Sequence, residues 1–190
     1  MQESIIHRAR QGDQRAFQQL VESYHDVVWR TARVLLPDAN AAEDALQEAW
    51  LDTWRGLRHF NDRQEFRPWL LTIVANRCRM AMRRRTISTV PIEVADEERL
   101  ISADDVAKTI LDAERASELQ IVLKALPVEQ QHVLELRFFA ELELAEIALV
   151  LHVPLGTVKS RLHRALGNLR ESKKIELLDI LNTERAHRSR

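Results

Sequence analysis

Apolar residues in this chain recur at three- and four-residue steps over most of its length, and few residues interrupt them. Ile6, Ala9, Phe17, Leu20, Val21, Tyr24, Val27 and Val28 keep helical spacing over residues 3–30, with a break near Gly12 and Asp13. "YHDVVWRTARVLL" carries the pattern to Leu36, and Pro37 ends it. Asp38 or Asn40 is placed to cap the next helix, "AAEDALQEAWLDTWRGL", which stops near Gly56. "RHFNDRQEFR" reads as a polar loop with two embedded phenylalanines. Pro68 then opens "PWLLTIVANRCRMAMRRR", with Trp69, Leu70, Ile73 and Val74 on one face. Only 4 glycines and 5 prolines punctuate the 190 residues. The expected fold class is therefore all-α.

After Arg85 the period fails. "TISTVPIEVADEERLISADD" mixes β-branched residues, a proline and acids without a sustained repeat. Helical spacing returns with "AERASELQIVLKALP", "VEQQHVLELRFFAE", "LELAEIALVLHV" and "PLGTVKSRLHRALGNLR". The chain thus divides into two small helical domains, 1–88 and 110–172, a flexible acidic linker at 89–109, and a tail at 173–190. Charge follows the same division. Residues 1–88 hold 14 Lys/Arg against 11 Asp/Glu, residues 89–110 hold 2 against 6, and residues 111–190 hold 12 of each. Two basic patches stand out, Asn76–Ser88 and Pro154–Lys174; each taken alone reads first as a solvated helix face.

Several function classes fall away. The single Cys78 can form neither an internal disulfide nor a cysteine zinc cluster. The 7 histidines lack metal-ligand spacing, and neither a glycine-rich phosphate loop nor a Ser/His/Asp arrangement is present. We expect no metal, no cofactor and no catalysis. No apolar run is long enough to span a bilayer and the N-terminus lacks a signal-peptide core, so no membrane insertion and a cytoplasmic location are expected.

The last two helical segments are separated by a tight turn, which suits a helix-turn-helix. Leu144, Ile147, Ala148 and Leu151 share one face of the first helix. Val158, Leu162, Ala165 and Leu169 share one face of the second. Ala148 is small where the helices cross, Val153 can plug the turn, and Pro154 fits an early helical position. Opposite the apolar stripe lie Lys159, Ser160, His163 and Arg164, whose side chains suit base edges in a DNA major groove. Thr157 and Arg161 flank them as phosphate contacts.

"VPLGTVKSRLHRAL" after "LAEIALVL" resembles the promoter-reading helix-turn-helix of bacterial extracytoplasmic-function (ECF) sigma factors. "AEDALQEAWLDTWRGL" resembles the helix by which that family docks on RNA polymerase, and "FRPWLLTIVANRCRMAMRRR" the helix after its promoter-melting loop. All three occur in the family's order, and the resemblance covers about residues 5–172. It implies core RNA polymerase (its β′ and β subunits), promoter DNA and an anti-sigma factor as partners. It assigns Asp44, Gln47 and Glu48 to polymerase docking, with Trp50 and Trp54 nearby; core packing explains the two tryptophans equally well. It assigns Asn61, Asp62, Arg63 and Gln64 of the loop, with Asn76 on the next helix, to a flipped minus-ten base. Arg77, Arg79, Arg83 and Arg84 would meet phosphates. Phe60, Phe66 and Trp69 read better as core than as stacking platforms. The minus-thirty-five element falls to Lys159, Ser160, His163 and Arg164, with Arg137 on a phosphate ahead of the helix pair. The acids Asp96–Glu98, Asp104 and Asp105 are compatible with mimicry of nucleic acid, though by themselves they read better as a solvated linker.

A conventional helix-turn-helix regulator shares the C-terminal pair. Its N-terminal half would carry a ligand-sensing or α/β pattern, whereas this one is basic, all-helical and contains the docking motif.

Overall fold

The computed structural model describes residues 2–61, 63–88, 123 and 125–171. The linker, the tail, Asp62 and most of the segment "AERASELQIVLKALP" lie outside these residues. Among the described residues there are seven helices and no strand: α1 (Gln2–Arg10), α2 (Gln14–Leu35), α3 (Ala39–Leu57), α4 (Phe66–Ser88), α5 (Val128–Phe138), α6 (Leu144–Leu151) and α7 (Leu155–Glu171). The chain separates into two compact units, 1–99 and 100–190.

In the first unit the breaks fall where the chemistry requires them. Gly12 takes φ +91°, a conformation that costs glycine little, and so turns α1 into α2. Asp13 caps α2, its Oδ1 accepting from the N–H groups of Arg15 and Ala16 at 3.0 and 3.1 Å. Asp38, rather than Asn40, caps α3 through the N–H groups of Asn40 and Ala41. α1 packs on α2, and α2, α3 and α4 pack on one another. Their contact faces are rich in small residues: Ala9, Ala16, Ala32, Ala42, Ala49 and Ala75 are all buried, between Leu20, Val28, Leu70, Leu71 and Val74. Short side chains let the helix axes approach, and the leucines and valines fill the remaining space. Two buried hydroxyls stay satisfied by donating back along their own helices, Thr31 to Val27 O and Thr53 to Ala49 O. Cys78 is buried in this core, and burial pushes its thiol pKa up to about 12. That makes it an unreactive packing residue.

One boundary differs from the sequence expectation. α4 begins at Phe66 and not at Pro68. Pro68 sits inside the first turn, where backbone N–H groups have no intrahelical partner in any case. The earlier start makes Phe66 helical and places its ring in the core.

In the second unit, Leu123, Leu126, Leu134, Ala165 and Leu169 form a buried cluster, and Phe138, Phe139, Leu162 and Leu166 pack against it. α5 and α7 pack together, and α6 packs on α7. A side-chain bond from Asn168 to Gln130 (3.0 Å) ties the end of α7 to the start of α5. The turn from α6 to α7 is a Schellman motif. Val153 N–H donates to Ala148 O, His152 N–H donates to Leu149 O, and His152 takes φ +59°. Pro154 precedes α7, and its carbonyl accepts from Thr157 and Val158.

The apolar face expected for α6 is rotated. Ile147 and Val150 are fully buried, whereas Leu144, Ala148 and Leu151 are only partly buried and Leu149 is exposed. The rotation brings Glu146 inward, where its Oε2 accepts from Glu143 N–H at 2.8 Å. Among the described residues no helix is long and apolar enough to cross a membrane.

The Asp13 cap yields a pH test. N–H donation from Ala16 and the guanidinium of Arg8 hold the Asp13 carboxyl below its usual 3.8. A depressed carboxylate stabilises the fold above its unfolded pKa, and that contribution is lost as pH falls through the folded value. Asp13→Ala should lower the melting temperature at neutral pH. The gap from the parent should close as pH falls below about 4 and narrow with added salt. A constant gap across pH 2–7 would show that the ionised cap is not the source.

Candidate partner and nucleic-acid interfaces

α3 turns one edge outward, and Glu43, Asp44, Gln47, Leu51 and Arg55 are exposed along it. Trp50 and Trp54 lie beside that edge, half-buried. Both rings rest on Phe17 of α2, at centroid distances of 6.1 and 4.9 Å in edge-to-face geometry. The two tryptophans are thus packed on the domain and also border the exposed strip.

The opposite side of α3 meets α4. Gly56 stands where a Cβ would come within 3.2 Å of the Trp69 ring, so glycine here permits the close approach of the two helices. Further along, Arg77 of α4 reaches back to α3. Its Nε and Nη2 both bond Asp52 Oδ2 at 2.5 Å, and its Nη1 bonds Glu48 Oε2. The other oxygen, Glu48 Oε1, lies 3.8 Å from Arg84 Nη1. Arg77 is therefore committed within the domain. All three of its guanidinium nitrogens face carboxylates, where the sequence offered it as a phosphate contact.

The rest of α4 carries a polar edge. Asn76, Arg83 and Arg84 are exposed, with Met80 between them. Asn76 Oδ1 accepts from Arg79 Nη2 at 2.9 Å, so those two side chains are held together. The loop before α4 rests on a cluster of aromatic rings. Phe60 and Phe66 are buried and pack on each other (5.7 Å) and on Trp69 (4.9 and 5.6 Å), and Tyr24 closes on Phe66. Above them Asn61, Arg63 and Gln64 are exposed. Asn61 Oδ1 accepts from Arg63 N–H, and Asn61 O accepts from Gln64 N–H, which shapes a tight turn.

In the second unit, α7 divides into two faces. Val158, Ala165 and Leu169 are fully buried; Lys159, Ser160, His163 and Arg164 are exposed. Thr157 and Arg161 are intermediate, on the flanks. Ser160 Oγ donates to Thr157 O at 3.0 Å. Gly156 has nothing within 4 Å of a would-be Cβ, so the start of α7 is open to an approaching backbone. Arg137 is placed otherwise than the sequence suggested. Its Nη1 donates to Leu142 O (2.8 Å) and pairs with Glu143 (3.0 Å), and its side chain is only 17% exposed. It fastens α5 to the start of α6.

Family profiles match both units. Sigma-70 region 2 matches residues 20–87, and Sigma-70, region 4 matches residues 122–171. An RNA polymerase sigma-E factor of Streptomyces coelicolor is 34% identical over 179 residues, covering 94% of this chain and 98% of its own length. The ECF RNA polymerase sigma factor SigW of Bacillus subtilis is 31% identical over 174 residues, 87% of this chain and 93% of its own. The chain belongs to the ECF branch of the sigma-70 family. The fold agrees: the sigma factor RpoE of Bartonella quintana, solved with the anti-sigma factor NepR, superposes with a TM-score of 0.58 at 22% identity, covering 84% of this chain and 97% of that one.

Within this sigma factor, the region 2 match takes in most of α2, all of α3, the loop and α4 up to its last residue, and the region 4 match spans α5, α6 and α7. Two contributors went unread in the sequence. Asp52 holds Arg77, and Phe17 supports both tryptophans. Each acts across a long sequence separation, which periodicity does not report. The one local sign was the spacing of Glu48 and Asp52, four apart and hence on one helix face.

All 4 tryptophans lie in the first unit, at positions 29, 50, 54 and 69, so their fluorescence follows its unfolding alone. Arg77→Met leaves Glu48 and Asp52 side by side without their cation. It should lower urea stability of this unit by about 1.5–3 kcal/mol, the range for hydrogen bonds to charged groups. Arg84→Met should change it by less than about 1 kcal/mol, as expected for an exposed pair. Equal effects of the two substitutions would remove Arg77 from its special position.

Proposed function

We propose that this chain binds core RNA polymerase through α3 and directs it to promoters whose minus-ten and minus-thirty-five elements are read by the first and second units. The observation that carries the reading is the division of α7: four polar side chains that suit base edges face outward, directly behind a fully buried anchoring stripe. Lys159, Ser160, His163 and Arg164 enter the major groove as the second helix of a helix-turn-helix, while Thr157 and Arg161 take phosphates. Arg137 supports this surface through the loop into α6. In the first unit Asp44, Gln47 and Glu48 form the polar part of the docking surface on the β′ subunit, with Trp50 and Trp54 at its margin. The β subunit is a further point of contact. Asn61, Arg63, Gln64 and Asn76, together with Asp62, receive the minus-ten element, and Arg79, Arg83 and Arg84 approach its backbone.

Such a factor carries out no bond chemistry of its own. Binding that favours an unstacked, single-stranded minus-ten element over duplex shifts the equilibrium toward the melted promoter. Residues 1–88 and 110–172 act as the two functional domains, 89–109 as the acidic connection between them and 173–190 as a tail. Function beside polymerase places the protein in the cytoplasm. The Bartonella quintana relative was solved with an anti-sigma factor; we extend control by such a partner to this chain.

Transcription in vitro by core polymerase with and without the purified chain, followed by sequencing of the transcripts, tests the reading and reports both promoter elements. Gln47→Ala or Trp54→Ala should weaken the complex with core polymerase. If neither does, α3 is not the docking surface. Arg164→Ala should cost about 1–3 kcal/mol at one base pair of the upstream element, whereas Arg161→Ala should weaken all sequences alike. A uniform loss in both variants would withdraw the assignment of Arg164 to a base.

A further inference from the structure

The Glu48 carboxylate joins the two faces that the proposed function separates. One oxygen, Oε2, is bound by Arg77, which Asp52 also grips and which is only 22% exposed. The other, Oε1, faces Arg84 at 3.8 Å, too far for a hydrogen bond. The Arg84 side chain is 69% exposed, so Coulomb attraction alone draws it toward α3. The cluster thus has a fixed member and an exchangeable one. Arg77 locks α3 to α4, and Arg84 is free to swing between a carboxylate and some other anion. Glu48 itself is 45% exposed and open to a donor from outside.

We propose that Glu48 is a charge gate between the docking and promoter faces. In the free chain it draws Arg84 away from nucleic acid, and a cationic or N–H donor of the docked partner that engages Glu48 releases Arg84 to a phosphate. This rests on the reading that α3 docks and the α4 edge meets DNA. Coupling of this kind is reciprocal. A phosphate that captures Arg84 leaves Glu48 Oε1 unopposed and strengthens docking. Asp52 is the positioning residue of the device, because it keeps Arg77 in place when Glu48 changes partner.

Binding of the full-length free chain to a labelled single-stranded oligothymidine tests the gate without the partner. Glu48→Gln keeps an acceptor for Arg77 and removes the charge that attracts Arg84. It should tighten binding by about two- to five-fold at low salt, the span of an exposed ion pair. The slope of log affinity against log salt should steepen by about 0.7, one more phosphate on a single strand. In an Arg84→Ala background, Glu48→Gln should do no more than the loss of one carboxylate does elsewhere on α3, and should leave the salt slope unchanged. Glu43→Gln removes the same charge from an exposed position of the same helix, and its effect should be equal in both backgrounds. If Glu48→Gln acts equally with and without Arg84, or acts no more strongly than Glu43→Gln, the gate is overturned while the docking and promoter assignments stand. If neither the parent chain nor Glu48→Gln binds oligothymidine, both the gate and the assignment of the α4 edge to nucleic acid fall.

Discussion

The packing of α3 against α4 is the constraint on which the first unit depends. α3 bears an exposed strip on its outer edge and α4 bears the polar edge beyond it, so any slip between the helices would displace both. Two contacts of different kinds prevent it. Near one end Gly56 admits the Trp69 ring, a fit that any larger side chain would crowd. Toward the other, Arg77 binds Asp52 and Glu48. The first fixes how closely the helices approach, and the second fixes their register, since a guanidinium fork satisfies its partners only over a narrow range of geometry. Apolar packing alone would fix register less strictly, because alanine-rich faces offer few shaped ridges.

In the second unit the described helix pair is short: α6 has eight residues and α7 seventeen. α7 serves two purposes at once. Val158, Ala165 and Leu169 hold it in place while Lys159, Ser160, His163 and Arg164 between them remain exposed. A helix used in this way needs its entry fixed. The Schellman turn at His152, the bond from Arg137 to Leu142 O, and the Asn168–Gln130 tie supply that at three points. A helix held at both ends presents its outward side chains with little conformational freedom left to lose on any binding event.

Features set by local chemistry were legible in the sequence, and features set by distant partners were not. The helix breaks at Gly12 and Pro37, the cap at Asp38, the buried stripe of α7 and the buried loop phenylalanines all follow from periodicity, caps and turns. The rotated face of α6 was missed because an eight-residue helix samples barely two turns, too few to define a stripe, and because a buried glutamate is not anticipated from hydropathy. The partners of Arg77 and Arg137 were missed for another reason. An arginine reads the same in sequence whether it faces solvent, a phosphate or a carboxylate brought from another helix. Asp52 lies 25 residues before Arg77, and nothing local connects them.

That ambiguity bears on how the charge of a nucleic-acid-binding chain is counted. The Asn76–Ser88 patch contains five arginines and no acid in sequence, which suggests a uniformly attractive surface. In the folded unit Glu48 and Asp52 are brought against it from α3, so part of the positive charge is neutralised before any DNA arrives. Because salt dependence follows the number of phosphates neutralised rather than the number of cations present, the patch should act as a weaker and more selective surface than its composition implies. For a protein that reads promoters together with a large partner, modest affinity on its own is advantageous. A strongly cationic free chain would be titrated by the excess of non-specific DNA sites. The neutralising carboxylates stand on α3, beside its exposed strip, so under the proposed docking this restraint is within reach of the partner.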